Sequence, residues 1–429
     1  MSRFAAWTAA LAVLFTISGC AAFESGKEPA GTFTLWHYER PESAMGIAWN
    51  RAVELFKASH PKVTVHVETK TFEQIRQNGS IALNAEDPPT ILEHNKGNST
   101  AGVLAKQGLL TDLTAQANSR GWDKLLPASL QTTARYDEKG IMGSGAWYGV
   151  PNYAEYVTVY YNKDLFAKHG QQAPTDFDGF RRVMDAFTAA GVTPLSLGGA
   201  EYPAQQLFYQ LALSRANRAW VDAFQRYQGS VDFTGPELNF AAHTFADWVA
   251  RGYVRRDSAS IKAEEMNHAF QRGEFPMVVV GSWMYGDFVR GIKDFQWSTF
   301  RFPGNKLHPG SSGNMWVVPA KAKHKDLAYD FIDITMRPEI QNLLGNSGGI
   351  PIAADPKALT DEKSRHLIEE FQAIASSDGL AFYPDWPAPG YYDVLGVAIQ
   401  DLINGTKTPA QVLADIAKPY HEQRATVGG

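Results

Sequence analysis

Trp283, Trp316, Trp386 and the pair Tyr391-Tyr392 lie at element ends or in Pro- and Gly-rich segments, outside periodic apolar runs. Polar candidates occupy similar breaks: His37, Glu39, Asn98, Asn152, Glu155, Glu201, Asn314 and Asp385. Flat rings suit an apolar face, while carboxylates and amides exchange hydrogen bonds with hydroxyls. Together they match the chemistry of a carbohydrate, whose ring C–H faces are apolar and whose hydroxyls both donate and accept. Plainer readings exist. A lone Trp packs a core as readily as it stacks on a ligand, and Asn98 and Asn314, each beside a glycine, suit ordinary turns. Clustering of aromatics in loops, densest in Phe382-Tyr383-Pro384-Asp385-Trp386-Pro387, is what core packing alone does not explain. Arg40 reads as a solvated side chain.

Catalytic patterns fare worse. Gly345-Asn346-Ser347-Gly348-Gly349 matches the G-x-S-x-G nucleophile elbow, which needs a strand before it and a helix after it. Here a helical pattern precedes and Ile350-Pro351-Ile352 follows, so the segment reads as a glycine-rich helix stop. Thr175-Asp176-Phe177-Asp178-Gly179 resembles the start of a calcium loop but lacks its later ligands; Thr175 with Asp178 reads as a capping box. No H-E-x-x-H or paired-Cys spacing occurs, so no metal or cofactor is expected. Asn98-Ser99-Thr100 and Asn404-Gly405-Thr406 match glycosylation sequons by pattern alone.

The single cysteine, Cys20, ends Ile17-Ser18-Gly19-Cys20 after an uncharged run from Phe4, with Arg3 in front. That is the pattern of a lipoprotein signal over residues 1–20, with Cys20 the lipidated residue. The apolar run is shorter than the ~20 residues of a membrane span. Residues 21–31, rich in Ser, Gly, Lys, Glu and Pro, read as a flexible tether. A net charge of −5 among 429 residues argues against a nucleic-acid partner, which demands a basic patch. With no second cysteine a disulfide is excluded, and stability rests on core size.

The elements that must carry these residues alternate. Thr32-Phe33-Thr34-Leu35-Trp36 reads as a strand; Trp49, Val53 and Phe56 fall at helical spacing and stop at Pro61; Val63, Val65 and Val67 alternate as a second strand. Strand, helix, strand is a βαβ unit. Tyr156–Tyr161 is strand-like. Thr175 is placed to cap a helix whose apolar face is Phe177, Phe180, Met184 and Phe187, ending at Gly191. Further strands are expected at 193–197, 276–280 and 315–318, and helices around Leu327–Ile332, after Pro338, and after Thr408-Pro409. No repeat of solenoid length recurs. The fold class is α/β throughout.

The order of these motifs resembles the extracellular solute-binding proteins of carbohydrate ABC importers. The most specific block is Trp147-Tyr148-Gly149-Val150-Pro151 followed by Tyr160-Tyr161-Asn162-Lys163-Asp164-Leu165-Phe166. Supporting blocks are Gln107–Leu113, Phe270–Met277 running into Gly281-Ser282-Trp283, and Ile403-Asn404-Gly405 before Thr408-Pro409. A departure falls at Glu86-Asp87-Pro88-Pro89-Thr90, where the family usually has Gly-Asp-x-Pro-Asp. The resemblance implies a two-lobed type II binding-protein fold, each lobe a mixed sheet flanked by helices. One lobe is expected from 32–150 and 304–348, the other from 151–303 and 349–429. Crossings are expected near Gly149–Asn152, Phe302–Gly304 and Gly348–Pro351.

It also implies a non-enzymatic, monomeric receptor. The receptor would hold a disaccharide or short oligosaccharide between its lobes, with Trp283 and Tyr392 where stacking aromatics are common. Its partners would be the permease's transmembrane subunits with their cytoplasmic ATPase. A lipid anchor would hold it on the outer face of the cytoplasmic membrane, or in the periplasm of a Gram-negative host. The rival readings are a secreted glycoside hydrolase, which needs a matched pair of acids that nothing marks out here, and a binding protein for a non-sugar ligand.

Overall fold

The computed structural model describes residues 31–428. The expected lipoprotein signal with Cys20, and the expected tether but for Gly31, lie outside them. None of the described helices is long and apolar enough to cross a membrane.

Two five-stranded sheets, each flanked by helices, organise the chain. In the first, the opening strand Thr32–His37 lies between Thr64–Thr69 and Ile91–His94, parallel to both. Met315–Val317 then runs antiparallel between Ile91–His94 and Val150–Pro151. The helix Ala44–Ser59 covers this sheet; its cap is Ser43, whose Oγ accepts from Gly46 N. Trp49, Val53 and Phe56 face inward at the expected spacing. The valine strand is an edge strand, with Val67 exposed, so its alternation is real but only one face is partly covered.

In the second sheet the nine-residue strand Ala154–Asn162 is central, antiparallel to Trp297–Phe300 and to Met277–Gly281, with Leu195–Ser196 beyond the latter. Met277–Gly281 is buried along its length, as a run of valines between helices must be. The helix Phe177–Ala189 forms with the expected apolar face, but its cap is Asp176 rather than Thr175: Asp176 Oδ1 accepts from Gly179 N at 2.6 Å. The carboxylate one residue nearer the helix wins this role. The Gly345–Gly349 segment ends the helix Pro338–Asn346, with Gly348 at φ +91°, and no strand precedes it.

Three passages join the sheets, and they touch each other. Asn152 N donates to Asn314 O at 3.1 Å, and Ala154 N to Ile350 O at 2.8 Å. Gln341 clips two of them, donating to Asn152 O and accepting from Ile352 N. Gly310–Ser312 still pairs with Ala154–Tyr156 of the second sheet. The return passage therefore falls at Gly313-Asn314, later than the expected Phe302–Gly304.

Candidate ligand-binding cleft

Between the sheets lies a cavity of about 530 Å³, within the range of small-molecule sites. The first sheet's side supplies Tyr38, Glu39, Arg40, Phe72 and Lys96, all in segments leaving strand ends. The other side supplies Glu155, Tyr202, Gln206, Trp283, Tyr383 and Trp386. A smaller cavity of about 260 Å³ opens behind Tyr38 and Phe72.

Trp283 stands in the short turn Ser282–Met284 that follows the buried valine strand. Its ring meets Tyr202 edge-on at 5.8 Å and Tyr383 at 6.4 Å. Gly281 makes this possible, because a Cβ there would fall 1.9 Å from the Trp283 ring. Trp386 forms the base, 5.1 Å from Tyr383, and leans on Gly97, whose φ of +99° and missing Cβ leave space for the indole. Tyr392 begins the helix Tyr391–Asn404; its hydroxyl donates to Glu73 Oε1 at 3.1 Å, and Arg76 lies 4.4 Å over its ring. These last contacts span the cleft, as does the ion pair of Arg40 with Asp287. The two walls of the cleft therefore touch at these points.

A buried polar network crosses the floor. Lys96 Nζ donates to Glu155 Oε1 at 2.5 Å, Tyr153 Oη to Glu155 Oε2 at 2.8 Å, and Asn314 Nδ2 to Tyr153 Oη at 3.0 Å. Lys96 also sits 5.6 and 5.5 Å over the rings of Tyr383 and Trp386. Burial pushes the Glu39 carboxyl well above the usual range, helped by Glu93 and Glu155. Burial likewise raises Glu93 to about 7 and Asp385 to about 6. Several polar atoms of cleft residues make no hydrogen bond: Tyr38 Oη, Gln206 Oε1, Asn267 Oδ1 and Tyr383 Oη. The Tyr383 hydroxyl lies beside Glu155.

Of the residues chosen from sequence, Trp283, Tyr392, Trp386, Glu39, Glu155, Glu201, Asn314 and Asp385 come together on this cavity. Glu201 does so while accepting from Ala263 N, at the start of the helix Ala263–Gln271. Five others do not line it. Trp316 is wholly buried under the first sheet's helices, 5.3 Å from Trp49 and 5.4 Å from Phe331, with Nε1 donating to Thr335. Tyr391 points away from the cleft into the second core and donates to Ile416 O, because adjacent helical residues differ by about 100°. His37 is tied to Glu39 N and stays neutral, burial lowering it to about 4. Asn98 spends its amide on Gln225 O and Met142 N. Asn152 belongs to the hinge, donating to Glu93 Oε1.

Sequence reasoning missed Lys96 and Tyr202; Arg40, read as solvated, is exposed and also pairs with Asp287 across the cleft. The available signals were Lys96 directly before a turn glycine and Tyr202 between Glu201 and a helix-starting proline.

Residues 41–342 match the bacterial extracellular solute-binding protein family. The chain belongs to that family. It is a binding protein rather than an enzyme, which sets the glycoside hydrolase reading aside, and its fold is type II. A "Probable sugar-binding periplasmic protein" of Mesorhizobium japonicum is 28% identical over 235 residues, 52% of this chain and 53% of the relative. One of the same description from Brucella suis is 35% identical over 211 residues, 47% of this chain and 46% of the relative. The chain thus spans about half the length of these curated relatives. Among solved structures, a "Chitin oligosaccharide binding protein" superposes with a TM-score of 0.78 at 23% identity, over 92% of this chain and 99% of that one.

Proposed function

We infer that this solute-binding protein captures a disaccharide or short oligosaccharide in the interlobe cleft and delivers it to an ABC permease with its cytoplasmic ATPase. The observation that carries this reading is the pairing of half-buried aromatic rings with buried polar atoms that have no protein partner, all on one cavity. Stacking on Trp283, Tyr202 and Tyr392 supplies affinity, and the unpaired oxygens choose hydroxyl stereochemistry. Ligand touching both walls shifts the population toward the closed form the permease reads. The names of the relatives support a sugar as the class. The lipobox supports attachment through Cys20 to the outer face of the cytoplasmic membrane, or a periplasmic site in a Gram-negative host.

Thermal-shift screening against mono-, di- and trisaccharides tests the reading: some members raise the melting temperature and none is consumed. Trp283→Ala is expected to weaken the best binder by about 1–3 kcal/mol, about five- to more than a hundredfold, with the melting curve of the free protein little changed. Wild-type affinity in that variant, measured by titration calorimetry, removes Trp283 from the site.

A further inference from the structure

Most carboxylates around the cleft already have a task. Glu155 is paired with Lys96, Asp287 with Arg40 and Arg290, and Glu73 with Arg76, while Glu201 accepts from a helix N-terminus. Glu39 has no such task. It is 7% exposed, lines the cavity, and its carboxylate takes one long hydrogen bond, 3.4 Å from Ser43 Oγ. The groups facing it are Glu93 from the first sheet, Glu155 from the second, and Asp287 at the rim. Tyr38 and Tyr153 border the same group of acids. Lys96 is engaged by Glu155, and Arg40 is turned to Asp287, so neither neutralises Glu39.

A second observation points the same way. Gln206 and Asn267, 4% and 3% exposed, line this cavity with their amide oxygens unpartnered. Beside the Tyr38 and Tyr383 hydroxyls, the wall therefore carries acceptor oxygens that no protein donor uses. A cationic amine brings three N–H donors and a charge, where a hydroxyl brings one donor. No group of three acids or histidines among the described residues is arranged to hold a metal ion. A flexible polyamine would leave the ring faces of Trp283 and Tyr202 without their flat counterpart.

We propose that the captured saccharide carries a free amine, and that Glu39 receives the ammonium group. The proposal rests on the saccharide reading above and narrows its substrate class. Burial, helped by the neighbouring Glu93 and Glu155, raises the Glu39 carboxyl above its ordinary range in the free protein and so favours its protonated form. Docking of the ammonium then leaves a carboxylate facing it, and the displaced proton passes to solvent. Neutral saccharides dock without that release.

The test is calorimetry at neutral pH with amine-bearing sugars: glucosamine, galactosamine, mannosamine and the β-1,4 disaccharide of glucosamine. Each is run beside its N-acetyl and 2-hydroxy counterparts, with spermidine as a further arm. The expected result is an amine-bearing member bound at least about tenfold more tightly than its neutral counterparts. Proton release, read from the dependence of heat on buffer, accompanies the amine alone. Glu39→Gln, close in shape, is expected to cut the amine-to-neutral ratio by about tenfold and abolish the release. Equal affinity across the series, no amine-bearing binder, a ratio unchanged in Glu39→Gln, or spermidine as the tightest arm each overturns the proposal. Neutral binders among those outcomes leave the saccharide reading standing; a panel with no carbohydrate bound at all removes both.

Discussion

Replacing Lys96 by Met tests whether the cleft floor is held by charge. The ammonium lies 2.5 Å from Glu155 Oε1, and the two side chains are 2% and 6% exposed. Met keeps most of the stem volume, so what is lost is the charge, one hydrogen bond and the two ring contacts over Tyr383 and Trp386. Glu155 would keep only the hydroxyl of Tyr153, with Glu39 and Glu93 nearby. Removing one partner of a buried pair costs about 3–5 kcal/mol, chiefly because the other charge stays buried and uncompensated. An exposed pair costs under about 1 kcal/mol. The assay is equilibrium urea denaturation followed by tryptophan fluorescence, on Lys96→Met and on Lys96→Met/Glu155→Gln. The double variant, freed of the orphan carboxylate, should recover most of the loss. A single-variant loss below about 1 kcal/mol, or a double variant worse than the single, refutes the argument that this pair is electrostatically buried.

Gly281→Ala should reproduce the affinity loss of Trp283→Ala, since the added methyl meets the indole at 1.9 Å; full affinity in a calorimetric titration would show that the ring has another route into the cleft. Arg76→Ala removes the ion pair to Asp393 and the stack on Tyr392, together about 1–2 kcal/mol of contact across the cleft. Its sugar-free form should scatter with a larger radius of gyration, and an unchanged profile argues that closure does not depend on this corner. Glu93 is raised from 4.5 to about 7 by burial, so the folded state binds more protons than the unfolded state between those values. Its contribution is present below the unfolded value and lost as pH rises through the folded one. Relative to Glu93→Gln, wild type should therefore lose on the order of 3 kcal/mol between mildly acidic and mildly alkaline pH, and parallel melting curves would contradict this.

The elements were legible because their signals are local. Trp49, Val53 and Phe56 had only one way to face a sheet, and the valine run before Gly281 was too apolar for any place but a buried strand. Thr175 failed as a cap because two good capping residues stand side by side, and the choice is made by where the first turn's N–H groups point. The return passage was misplaced because Gly310–Ser312 pairs with a strand some 155 positions away in the chain. No periodicity reports such a pairing.

At the site, type was readable and direction was not. Trp316 and Trp283 both belong to short apolar segments, yet one is sealed by Trp49 and Phe331 and the other is left open to the cleft. What separates them is the length of strand before the ring. Trp316 lies within its strand, beneath two helices, whereas Trp283 lies beyond the last paired residue, where the chain turns. Tyr391 and Tyr392 divide for a related reason, neighbours on one helix pointing about 100° apart. Lys96 had only a turn glycine beside it as a local mark, since its meaning comes from Glu155, 59 residues away. A ring set two residues past a buried strand, whose last residue is a glycine with no room for a Cβ, is a sharper sequence sign of a cleft aromatic than loop composition. Gly281-Ser282-Trp283 is its instance here.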